Sequence, residues 1–184
     1  MRAAGAILLA AALTACGASS SPSCPADLAP SATPNASADP ELAATIPDEV
    51  AGEPLNMATF CVTELDGLGG IQTSSEMLEA LGVRLEDVTI AAMSPQIGAP
   101  GGSISVGAYR YAGADEDTLR ETFVRLFEQA ATEAGLDLAI EEASIGGKVV
   151  HRESGAVYYV ADDTLYTVQS GNEDKVEEVL AALP

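Results

Sequence analysis

The 184-residue chain has no tryptophan, one histidine, three phenylalanines and only eight lysines and arginines. Each scarcity removes a class of function. Eight cations face 28 aspartates and glutamates, so the clustered positive charge that neutralises phosphates is missing and nucleic-acid binding is not expected. Anionic lipid headgroups repel such a surface as well. His151 and three cysteines provide no metal-ligand spacing, so neither a metal site nor another cofactor is expected. Without tryptophan, the largest aromatic platform for a sugar is absent, and in so acidic a chain any chosen carboxylate pair is uninformative. A Ser-His-Asp arrangement has to use His151 in mid-strand, and no glycine-flanked serine elbow accompanies it. No catalytic residue is therefore assigned. The longest apolar stretch, Ala3 to Ala15, has thirteen residues, short of the roughly twenty that a helix needs to cross a bilayer.

That short stretch is informative in its own right. One cation, Arg2, precedes it and small residues follow, which is the order of a secretory leader. Leu13-Thr14-Ala15-Cys16, followed by Gly17, resembles the lipobox of bacterial lipoproteins. The resemblance implies that residues 1–15 are removed as a signal peptide. It also implies that the Cys16 thiol carries a lipid, and that palmitate-type acyl chains hold the protein at a cell membrane. The mature chain then faces outside the cytoplasm, at the cell surface or in the periplasm. Two or more chains make such attachment stable, whereas one alone is marginal. The resemblance covers the first seventeen residues and implies nothing about the rest.

Residues 16–47 are rich in Ala, Ser, Pro and Thr and poor in large apolar groups. The lipidated Cys16 is therefore expected to lead into a disordered tether that stands the domain tens of ångströms off the membrane. Residues 48–184 form a single domain of ordinary size. With Cys16 committed to lipid, Cys24 and Cys61 remain as a candidate disulfide in an oxidising compartment, the alternative being two free thiols.

Within the domain, 55–63, 88–93 and 104–111 read as strands. Thr73 to Glu76 fits a capping box opening a short helix that stops at Gly82. The strongest periodicity runs from Asp115 to Ala134, with Leu119, Phe123, Leu126, Phe127 and Ala130 on one stripe. Four strands then follow at 140–145, 148–153, 156–161 and 164–168. Gly146-Gly147, Ser154-Gly155 and Asp162-Asp163 separate them as two-residue turns. A final helix spans 172–183. The expected class is α+β: an antiparallel sheet with a C-terminal four-stranded meander and about three amphipathic helices packed on one face.

Counting across those turns puts Ala143, Val150, Val157, Tyr159, Ala161, Tyr166 and Val168 on one face, ready for burial. Glu142, His151, Tyr158 and Thr167 form a row on the other, expected to be a solvated face. That row is the candidate recognition patch, in which Glu142 raises the pKa of His151. Other motifs have plainer explanations. Gly67 to Gly70 lacks the lysine of a phosphate-binding loop, and Asp115-Glu116-Asp117 and Asp162-Asp163 do not fit a calcium loop. The Pro/Gly-rich segment Ser94 to Ser103 is a candidate binding loop.

These features predict a membrane-anchored extracytoplasmic lipoprotein acting as a binding or protein-interaction module. Its partner is expected to be a protein, cell-wall material or a small molecule. A solute or lipid carrier with an apolar pocket lined by Phe123, Phe127 and tyrosines is the alternative. A hydrolase stands third.

Overall fold

The structure of the chain is a computed structural model that describes Cys24 and residues 36–65, 70–93, 104–136 and 140–184. The lipobox, the Gly67 to Gly69 turn and the Ser94 to Ser103 segment lie outside the described residues. A short helix, α1 (Pro40–Ala44), leads into a two-stranded ribbon of β1 (Glu49–Val50) and β2 (Glu53–Pro54). Next come β3 (Met57–Cys61), α2 (Ser75–Leu81), β4 (Val88–Met93), β5 (Ser105–Tyr111) and the long α3 (Glu116–Glu133). The meander follows as β6 (Glu141–Ile145), β7 (Lys148–Glu153), β8 (Ala156–Ala161) and β9 (Thr164–Gln169), and α4 (Glu173–Ala182) comes last. Seven strands make one antiparallel sheet in the order β3-β4-β5-β9-β8-β7-β6. The α+β class and the C-terminal meander are as expected from the sequence.

Turn chemistry sets the meander's register. Gly146-Gly147 and Ser154-Gly155 both carry positive φ at their two central positions, as a type I′ turn requires, and this fixes the strand pairing residue by residue. The two-residue turn Asp162-Asp163, with Asp162 at positive φ, sets β8 against β9, so Tyr159 sits opposite Tyr166 and Val157 opposite Val168.

The layering differs from the expectation, because helices cover both faces of the sheet. One core gathers Val106, Val150, Val157, Tyr166 and Val168 beneath α1 and α4, which contribute Leu42, Val176, Val179 and Leu180. The other gathers Val88, Ile90, Val160 and Leu165 beneath α2 and α3, which contribute Met77, Leu119, Phe123 and Leu126. The cause lies in β8 and β9, whose sequences AVYYVA and TLYTVQ are apolar on alternate positions of both parities. Such strands are buried on both sides.

Residues 36–46, expected to belong to the tether, are part of the packed fold. Ser37 bridges Thr59 in parallel fashion, and Ala38 and Thr59 exchange backbone hydrogen bonds with Thr59 and Ala36 along the β3 edge. Asp39 caps α1 by accepting from the Leu42 N–H at 2.9 Å, and Leu42 and Ile46 are buried one turn apart. Two apolar side chains at that spacing dock the segment although its average composition is that of a linker. Upstream, Cys24 is disulfide-bonded to Cys61 at a Cα separation of 5.6 Å, and its N–H donates to the Glu86 carbonyl. Closing a loop over a sequence separation of 37 removes chain entropy worth about 4 kcal/mol of stability.

Candidate functional site

The row Glu142, His151, Tyr158 and Thr167 exists as counted. Glu142 pairs with His151, His151 with Tyr158, and Tyr158 with Thr167. Its surroundings are not those of an open recognition face. Tyr158 lies against α3, its ring 4.9 Å from Phe123 and 5.9 Å from Phe127. His151 is 8% exposed, and its Nε2 has no hydrogen-bond partner among the described residues. Only Glu142 is fully open to solvent.

The electrostatic expectation for this row is reversed as well. Burial under α3 pushes the His151 pKa below its ordinary value; Glu142 opposes that shift and Arg120 adds to it. A buried ring loses more solvation on protonation than one exposed carboxylate returns. The imidazole is thus held in its neutral form, as a component of the packed interface. Burial, aided by Glu153, likewise raises the Tyr158 phenol.

The second polar cluster pins α1. The buried Asp39 carboxylate accepts from the Thr89 hydroxyl at 2.7 Å, and the Arg110 guanidinium lies 3.4 Å from it. Arg110 also meets Asp163 at 3.4 Å and Glu41 at 3.7 Å. Arg110, Glu41 and Asp163 border a cavity of about 220 Å³. The single guanidinium is shared among three carboxylates, and the cluster attaches the N-terminal segment to the sheet. Lys148 plays a matching part for the last residues. It donates to the carbonyls of Leu183 and Pro184 and lies 4.6 Å above the Tyr159 ring.

A concavity of about 340 Å³ lies between the start of α2 and α3, lined by Ile71, Ser74, Leu126 and Gln129. Two others lie at one end of the sheet, where the β7–β8 turn meets the start of α4. One of these two, of about 360 Å³, is walled by Ile145, Val157 and Val176 and rimmed by Arg152, Glu173 and Glu177. The other, of about 410 Å³, is bordered by Ser105, Ser154 and Gln169. Gly155, Ser170 and Gly171 line both, which makes the two cavities neighbours on a common floor. Arg152 and Glu173 join across the rim at 2.8 Å, and Asn172 caps α4 through the Asp174 N–H. The hollow thus has an apolar wall, small hydroxyl and glycine residues below and one ion pair at the lip. Nothing in it supplies a nucleophile next to a base. The residues here escaped the sequence reading because their only signal is Ser and Gly at turns, which every connection shares.

The remaining motifs have structural roles. Asp115 caps α3 by accepting from Thr118, and Glu116 and Asp117 pair with Arg120. Asp162 and Asp163 form the β8–β9 turn, with Asp163 accepting from the Gly113 N–H. The short helix is capped by Ser74, not Thr73: the Ser74 hydroxyl accepts from Met77, and Thr73 belongs to a preceding 3₁₀ turn. Among the described residues there is no group of three or more metal-capable side chains, and no helix is long and apolar enough to cross a membrane. No protein-family model, curated protein or solved structure matches the chain.

Proposed function

We propose that this chain is a bacterial lipoprotein, anchored at a cell membrane through Cys16, whose α+β domain works outside the cytoplasm as a binding or protein-interaction module. The anchor rests on Leu13-Thr14-Ala15-Cys16 and the short apolar leader before it. The observation that carries the compartment is the Cys24–Cys61 disulfide, since such bonds form and persist where the surroundings are oxidising.

The binding role is supported by how the interior is used. Phe123, Tyr111 and Tyr166 are packed and inaccessible, so the aromatic residues that a carrier's pocket needs are spent on the two cores. The two adjoining concavities at the Ser170 end of the sheet offer open surface that suits a protein segment, a cell-wall fragment or a small molecule. A photo-crosslinking residue placed at Ser170 in intact cells tests this role. It should yield a discrete adduct, identified by mass spectrometry, that is absent from the same probe at exposed Glu128 on α3. Equal labelling from the two positions, or none from Ser170, overturns it.

A further inference from the structure

The geometry points to a membrane-facing end of the domain, set by the disulfide. The Cys24–Cys61 bond makes the working leash eight residues long and turns the cavity-bearing end of the sheet away from the lipid surface. This inference rests on the proposed lipidation of Cys16.

A covalent chain has a maximum reach whatever its conformation. Eight Cα–Cα steps separate Cys16 from Cys24, which bounds the distance at about 29 Å. Among the described residues, the first after Cys24 to be bonded to the sheet is Ala36, whose carbonyl accepts from Thr59. Twenty steps from Cys16 raise the bound to about 72 Å. The bond therefore bypasses more than half of the apparent tether.

It also chooses an end. Cys61 is the last residue of β3 and pairs with Thr89 near the start of β4, while Val88 pairs with Tyr111 at the end of β5. All of these lie at one end of the sheet. At the other end, Ser105 pairs with Gln169 and Gln169 with Ala156, beside the Ser154-Gly155 turn that borders the cavities. The length of β5 separates the two ends by about 20 Å. A domain held through Cys24 thus presents its Cys61 end to the bilayer and its cavities to the space beyond. The net charge of −20 reinforces this by pushing the body of the domain outward against its short leash.

Two insertions of equal length test the bypass without touching either cysteine. The lipidated protein, with its acyl mass verified, is placed on a supported phosphatidylcholine bilayer, and the distance of the protein layer is read by neutron reflectometry. Twelve Gly-Ser residues inserted between Ser19 and Ser20 lengthen the leash, and should move the domain out by about 9 Å on coil scaling. The same insert between Ala32 and Thr33 lies behind the disulfide and should leave the distance unchanged. An equal shift from both insertions, or no shift from the first, overturns the inference. Material without acyl mass overturns the lipoprotein reading instead.

Discussion

His151 is the only side chain in the sequence whose ordinary titration falls near neutrality, and its setting gives that titration a definite sign. Its folded pKa is held below the ordinary 6.5, so the unfolded chain takes up the proton first. The stability it contributes is fully present above pH 6.5 and is lost as the pH falls from there through the folded value. His151→Gln should therefore flatten the stability curve in the window just below pH 6.5 and leave it parallel to wild type above. Urea midpoints across that range read the difference, and identical slopes in the two proteins refute the assignment. The pairing of this histidine with Glu142 and Tyr158 was legible in the sequence, because two-residue turns leave no freedom in the count. Its burial was not. Period-two alternation tells which residues share a face; it does not tell which helix lands there.

At the level of elements, the caps make the sharpest prediction. Ser74 holds the first turn of α2 through the Met77 N–H, so Ser74→Ala should lower stability by about 1 kcal/mol. Thermal or urea unfolding of this variant reads the loss, and stability equal to wild type contradicts the placement of the cap. The sequence pointed to this helix and its left-handed stop at Gly82, but a run of three hydroxyl residues left the cap one position uncertain. Elements with long periodic patterns were read closely: α3 spans Glu116–Glu133 with Asp115 as its cap, and each meander strand falls between the turns expected. Two things were not legible. The five-residue α1 carries too few positions for periodicity, and only its contacts through Asp39 and Leu42 reveal it. The cavities beside Gly155 and Gly171 arise where a turn meets a helix start from distant parts of the chain, a coincidence that no local pattern encodes.

At the scale of the whole molecule, charge, disulfide and leader sequence agree. A chain with 28 acidic residues and eight basic ones gains nothing electrostatically from a lipid surface, so the proposed anchor relies on the acyl chains at Cys16 and not on surface charge. Under the proposed anchoring, the disulfide shortens the linker and gives the domain an inner and an outer end. Helices cover both faces of the sheet, and α1 with the segment before it runs along the β3 edge. The proposed recognition role uses the concavities at the Ser170 end of the strands. All of this depends on what stands at the mature amino terminus. Intact-mass and peptide mass spectrometry of protein purified from its native membranes tests it most directly. The account predicts a chain that begins at Cys16, bears a thioether-linked diacylglycerol and contains the Cys24–Cys61 bond. A chain that begins at Met1, or one whose amino terminus carries no acyl group, contradicts it.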